Sequence, residues 1–193
     1  AIVAPVLLLL LQSIFSVYQT LYIWDDPERA DEAAAPKVLK DPKLGFTVLL
    51  PARHEQKVIS DTLLKLSRAK YPKAKIQLLV ICSLDDTKTI RAAKKAIKQN
   101  KISNADIVVF NGEPGKSKAM NIGLRDAKHE IVTIFDSEDD VSEDIFAIMN
   151  TLYLKHDVDI IQGGVQLMDY NTRWFSAHNV LEYFFWFKSR MHY

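Results

Sequence analysis

One cysteine in the whole chain, Cys82, excludes an intramolecular disulfide. It sits inside an apolar run, which implies a buried core thiol rather than a catalytic nucleophile. Net charge is equally scarce: 25 Lys and Arg stand against 24 Asp and Glu, a balance of +1 that excludes a polycation built for nucleic acid. A hydrophobic content of 48% excludes a disordered chain. There is no internal repeat. From Ala1 to Trp24 there is no charged residue at all. What remains, in 193 residues, is enough for one domain with a real core.

The uncharged stretch 1–24 has the roughly 20 residues a bilayer-crossing helix needs. Tyr18, Tyr22 and Trp24 gather at one end, where aromatic rings favour the headgroup region. A signal peptide competes, but the basic start is absent; a buried core helix is the other competitor. The expectation is one transmembrane helix over 1–24. Residues 25–44 are charged and Ala-rich, carry Pro27, Pro36 and Pro42, and read as a linker. The first residue is Ala and the last three close on no signal, so the sequence reads as cut from something longer.

From Gly45 the pattern alternates. Strands are expected over Phe46–Leu50, Ile76–Cys82, Asp106–Phe110 and Ile131–Phe135, with a fifth over all or part of Ile160–Met168. Helices are expected over Lys57–Ala69, Thr87–Gln99, Ser117–Ala127 and Ser142–Lys155. That order predicts an α/β fold: a mostly parallel sheet with helices on both faces. The last stretch, Trp174 to Tyr193, is dense in aromatics and basic at its end. It reads either as a helix at a membrane surface or as packing for a core not present in these residues.

Chemistry gathers where strands end. Ile131–Phe135 reads as a short buried strand and runs into Asp136, Glu138, Asp139 and Asp140, four carboxylates in five residues. They repel one another unless a cation lies among them, and hard divalent cations prefer carboxylate oxygens. Ligands of open α/β sheets collect at such strand ends. The competing reading is a solvated acidic turn that caps the next helix. After the first strand come Pro51, which is expected to end the ladder, and Glu55, a hydrogen-bond acceptor for a base or ribose. After the second come Asp85 and Asp86, which suit a pyrimidine N–H or ribose hydroxyls, or else cap the following helix. After the third come Gly112, Gly115, Lys116, Ser117 and Lys118 at a helix start, a plausible anion site. A P-loop ATPase is the remote alternative: it needs glycine at position 110, where this chain has Phe.

Taken in order, Pro51-Ala52-Arg53-His54-Glu55, Asp85-Asp86, Gly115 to Asn121, and Asp136-Ser137-Glu138-Asp139 resemble the motifs of family 2 glycosyltransferases with the GT-A (Rossmann-like) fold. The Asp-x-Glu-Asp variant is similar to a membrane-bound bacterial branch related to cellulose synthases. The resemblance covers residues 45–193 and includes Gln162–Met168 and Leu181–Phe187. It implies an inverting transfer from a nucleotide-sugar, most often a UDP-sugar, to a glycan or lipid acceptor, with a divalent metal (Mn²⁺ or Mg²⁺). By position it implies that Pro51, Ala52 and Glu55 frame the nucleoside, and that Asp85 or Asp86 holds uracil or ribose. Lys118 and Asn121 would orient the diphosphate, Asp136 face ribose or metal, and Glu138 or Asp139 ligate the metal. The family's later base and its Gln-x-x-Arg-Trp are not seen; Arg173-Trp174 has Asp169 where the Gln belongs, so the catalytic base is expected beyond Tyr193. Residues 45–193 are thus expected as the donor-binding part of a hexosyltransferase. Its domain faces the cytoplasm, where nucleotide-sugars are found, at a bacterial inner membrane, with membrane lipids as a further partner. The alternative is a non-catalytic membrane-tethered nucleotide- or metal-binding module.

Overall fold

Phe46–Ala52 and Ile76–Ser83 form the two central strands because both of their faces are covered: every residue of the second, and all but Pro51 of the first, is buried. In the computed structural model the elements run α1 (Val3–Trp24), β1 (Phe46–Ala52), α2 (Ile59–Ser67), β2 (Ile76–Ser83), α3 (Thr87–Gln99), β3 (Ala105–Phe110), α4 (Lys116–Arg125), β4 (Ile131–Ile134), α5 (Ile145–Lys155) and α6 (Trp174–Phe185). The described residues are 3–24, 35–156, 158–163 and 173–185, without the side chains at 20, 22–24, 184 and 185. The chain divides into two compact units, Pro36–Asp159 and a second made of Ala1–Ala35 with Ile160–Tyr193.

In the first unit the four strands are parallel in the order β3-β2-β1-β4. The chain steps outward from β1 to β3, then returns to lay β4 on the other side of β1. That reversal opens a crevice between the carboxyl ends of β1 and β4, the place where open α/β sheets bind ligands. Alternate residues of each strand face opposite sides. Val48, Leu50, Leu78, Val80 and Cys82 pack on one face with Ile59 and Leu63 of α2, Ala93 of α3 and Phe146 of α5. Leu49, Leu79 and Ile81 pack on the other with Ala119 and Ile122 of α4. Helices on both faces are therefore as expected, and the core thiol of Cys82 is fully buried.

The structure corrects several expectations. Pro51 does not end the ladder: it pairs with Ile81, and Ala52 with Cys82. Successive residues of a strand turn their hydrogen-bonding groups to opposite sides, and Leu49 turns its carbonyl to Phe135 N–H, beyond β4. Pro51 turns the same way, past the last β1–β4 partner Leu49–Ile134, so its missing N–H deprives no strand. β4 is not buried. None of its four residues is, because it is an edge strand of the sheet as described, and Ile134 is 49% exposed. No strand forms over Ile160–Gly163, where the fifth was expected to begin, and residues 164–168 of that expectation lie outside the described residues. α5 begins at Ile145 rather than Ser142. Residues before it are held instead by Lys70, whose N–H donates to the Glu143 carbonyl at 2.8 Å and whose ammonium pairs with Glu143 and Asp144.

Residues 40–44, read as part of a linker, are stitched to α5. Asn150 is 0% exposed, and its side-chain oxygen accepts from Lys43 and Leu44 N–H while its amide donates to the Asp41 carbonyl. Thr151 accepts from Lys40 N–H. Residues 25–34 lie outside the described residues.

In the second unit α1 is a 22-residue helix without an acid in its first turn or a base in its last. Its described apolar side chains are all exposed, Leu8 by 67% and Leu11 by 62%. Among the described residues no helix is long and apolar enough to cross a membrane. The described side chains of α1 run unbroken only from Val3 to Gln19. Tyr22 and Trp24, expected as interface anchors, have undescribed side chains. α6 exposes Trp174, Phe175, Leu181 and Tyr183; residues 186–193 lie outside the described residues.

Candidate functional site

An open cleft of about 430 Å³ lies over the carboxyl edge of the sheet, within the range of small-molecule sites. Each strand end contributes: Pro51 and Ala52 after β1, Ser83 at the end of β2, Phe110 at the end of β3, and Asp136, Ser137 and Glu138 beyond β4. Arg53, Glu55 and Lys116 complete the polar wall.

The acidic loop is fixed at its middle. Ser137 is 4% exposed and donates its hydroxyl to the Pro51 carbonyl at 3.2 Å. Its own carbonyl accepts a short bond from the Thr62 hydroxyl of α2. Held from both sides, Ser137 leaves its neighbours Asp136 and Glu138 on the cleft wall. Asp136 pairs there with the Lys116 ammonium at the start of α4. Asp139 is turned to the loop itself, accepting from Asp136 N–H at 2.8 Å, and Asp140 pairs with Lys65 of α2 at 2.7 Å. Four adjacent carboxylates are thus tolerated because two face cations and one caps backbone.

The expected residues separate on this geometry. Pro51, Ala52, Glu55, Asp136 and Glu138 line the cleft; Asp85, Asp86, Lys118, Asn121 and Asp139 do not. Asp86 is the N-cap of α3, accepting from Thr89 N–H at 3.2 Å and from His54 N–H at 2.6 Å. At 5% exposed it ties the β1 and β2 loops together and offers little to a ligand. His54 takes a left-handed backbone, φ 63°, to bring its N–H there. Asp85 is exposed near Arg53, 3.8 Å away, and the Ser83 hydroxyl holds its carboxyl below the usual range. Lys118 lies over the Phe110 ring, 5.7 Å from its centroid. Asn121 is exposed two residues along α4 from the buried Ala119, and residues so spaced do not share a helix face. Lys116, read in the sequence as part of an anion site but given no role in the donor set, lines the cleft, as do Arg53, Ser83 and Phe110, for which no role was expected.

The cleft is mixed in charge. Gly115 N-caps α4 without a side chain, so the first N–H groups of that helix face outward beside Lys116 and favour an anion. For a metal, Asp136 and Glu138 offer carboxylate oxygens, but Asp139 does not join them. Among the described residues no three or more His, Cys, Asp or Glu side chains gather to hold an ion. This donor set fits a hard cation whose shell is completed by water and phosphate oxygens, and does not fit a cage built by protein alone.

Burial pushes the Cys82 thiol up to about 11, with the nearby Asp86 charge adding to it, which leaves it inert. Burial also works to raise the Asp86 carboxyl, but the bonds from Thr89 and His54 N–H, with the His54 charge, outweigh it and hold the group below its ordinary value. Its stabilisation is therefore complete above the unfolded value of about 3.9 and is lost as pH falls through the lower folded value. Asp86→Asn is expected to remove that acid dependence. Urea midpoints at pH 7 and pH 3 should differ less in the variant than in the parent; an equal difference contradicts the assignment.

A profile described as glycosyltransferase like family 2 matches residues 42–192. Among curated proteins, the poly(ribitol-phosphate) β-N-acetylglucosaminyltransferase TarS of Staphylococcus aureus is 22% identical over 116 residues, 60% of this chain. The chain spans about 20% of that relative's length. Among solved structures, the mannosyltransferase PcManGT of Pyrobaculum calidifontis, in complex with GDP-Man and Mn²⁺, superposes with a TM-score of 0.55 at 23% identity. That match covers 72% of this chain and 41% of that one. TarS of S. aureus in complex with UDP-GlcNAc gives 0.52 at 22% identity, over 67% and 39%. Both structural likenesses bear on the fold, which is GT-A like.

Proposed function

The chain belongs to the glycosyltransferase-like family 2, and we propose that it binds the nucleotide-sugar donor of an inverting glycosyltransferase in the strand-end cleft. The observation that carries this is the pairing of opposite charges on facing walls: Asp136 and Glu138 beyond β4, Lys116 at the start of α4. A nucleoside diphosphate needs such a site, apolar and hydrogen-bonding at one end and cationic at the other. Pro51, Ala52 and Glu55 frame the nucleoside. Asp85, exposed near the cleft-lining Arg53, is better placed than the capping Asp86 to reach a base or ribose. Departure of the sugar leaves charge on the diphosphate, and Lys116 with the α4 amides stabilises that charge as it develops. A divalent cation, when bound, supplies further charge neutralisation to the phosphates, with Asp136 and Glu138 as its protein ligands. An inverting displacement also needs a base for the acceptor hydroxyl; no cleft residue is assigned that part. The acceptor is a glycan or lipid.

Membrane attachment is part of the proposal. α1 is uncharged and leaves its described leucines exposed, an apolar surface suited to rest on a bilayer. The cleft then works at a cytoplasmic surface. The donor reading is tested by calorimetric titration of UDP and GDP into the full chain, with and without Mn²⁺. UDP binding strengthened by Mn²⁺ is expected; a folded protein that binds neither nucleotide under either condition contradicts it. The attachment is tested by partition onto phosphatidylcholine vesicles, whose absence counts against α1 as an anchor.

A further inference from the structure

α3 is amphipathic in an unusual way: every charged residue on its outer face is a cation. Lys88, Arg91, Lys95 and Lys98 recur at intervals of three and four, which sets them on one helical stripe. Lys94 flanks the stripe and Lys101 follows the helix end. All six are exposed, while Thr89, Ile90, Ala93 and Ala96 are buried on the opposite side. Between Thr87 and Lys101 there is no acid. Among the described residues none of the six forms an ion pair, although cations elsewhere, such as Lys65, Lys70 and Lys116, do. The stripe does not reflect a basic chain. With six of the 25 cations here and none of the 24 acids, the remainder of the chain is net negative. Like charges concentrated along one short helix repel one another, so the arrangement favours a polyanionic counterpart.

We propose that the outer face of α3 is a docking surface for an anionic lipid bilayer. The inference rests on the membrane attachment proposed above and adds the chemistry of the surface. Three features favour a bilayer over a nucleic acid or another polyanionic strand. The stripe is the convex outside of a helix rather than a groove. No aromatic side chain on α3 offers a stacking platform, which single-stranded nucleic acid sites use. Five of the six cations are lysines, compact point charges suited to a diffuse headgroup layer, where bidentate phosphate recognition uses arginine. α3 starts at the strand edge that carries the cleft, two residues after Asp85, so docking along it sets the distance between cleft and lipid surface.

The test compares partition of the full chain onto vesicles of phosphatidylcholine alone and mixed with phosphatidylglycerol, for the parent and for Lys94→Gln/Lys98→Gln. Gln keeps helix propensity, and UDP binding monitors the fold. The parent is expected to prefer the anionic vesicles, with the preference shrinking as salt is raised. The variant is expected to lose about thirtyfold of it, since each of the two basic residues removed contributes about fivefold near such a surface. Equal binding of parent and variant to anionic vesicles overturns the proposal. So does a parent without any anionic preference, or a variant whose only deficit is in binding inorganic polyphosphate. Failure on phosphatidylcholine alone, with the charge-dependent preference intact, removes α1 as an anchor and leaves the α3 surface standing.

Discussion

Replacing Asp136 with alanine is expected to weaken UDP binding in the presence of Mn²⁺ by roughly ten- to a hundredfold, the range for a lost charged hydrogen-bonding group. Asp136 is the carboxylate that both lines the cleft and meets Lys116. Its removal takes away a cation ligand and at the same time frees the lysine. Lys116→Ala has a more informative sign. It is expected to weaken UDP binding, because a phosphate contact is lost. It is also expected to leave Mn²⁺ binding without nucleotide unchanged or stronger, because the ammonium no longer competes for Asp136. Calorimetry on both variants checks the pair of signs. Parallel losses of nucleotide and ion in Lys116→Ala contradict the competition.

The second large effect is on stability. Phe146→Ala is expected to cost about 3–5 kcal/mol, a large share of the 5–15 kcal/mol that holds a domain. Phe146 is 0% exposed, with its ring 5.4 Å from Phe46, 6.2 Å from Tyr71 and 6.5 Å from Phe135. The last contact matters beyond stability, since Phe135 leads into Asp136 and the acidic loop. A cavity there loosens the loop before it unfolds the sheet, so UDP affinity should fall in Phe146→Ala under conditions where it is still folded. Phe146→Leu fills more of the space and should recover much of both. All three tryptophans, Trp24, Trp174 and Trp186, fall outside Pro36–Asp159, so urea unfolding should be followed by far-ultraviolet dichroism. A loss under about 1 kcal/mol contradicts this aromatic cluster as the core.

The sequence was most legible where one signal had one structural outcome. Leu78–Cys82 is apolar without alternation and lies in a strand covered on both faces. Thr87–Gln99 has an aspartate before it and a clean apolar stripe, and its ends match the expectation. Asp136 and Glu138 line the cleft because a strand end points there. Legibility failed where one residue type serves two purposes. Asp85 and Asp86 are alike in sequence; which one caps α3 depends on where His54 N–H falls after a left-handed turn. That Asn121 lies outside the cleft lining was not legible, because its motif does not say which side of α4 packs on Ile81 and Leu49. β4's exposure depends on the strand order, which no local pattern carries. The bonds that make 40–44 part of the core reach Asn150 and Thr151, more than a hundred residues away, and leave no mark on local composition.

The central claim is that a nucleoside diphosphate lies in the cleft with its phosphates held by Lys116 and by a cation on Asp136 and Glu138. Phosphorus-31 spectra of UDP with the full chain and trace Mn²⁺ test it most directly. Paramagnetic broadening of both phosphates is expected with the parent protein, to be largely lost in Asp136→Ala. Broadening of equal strength in parent and variant, or none beyond that of Mn²⁺ and UDP alone, would place the ion and the diphosphate elsewhere.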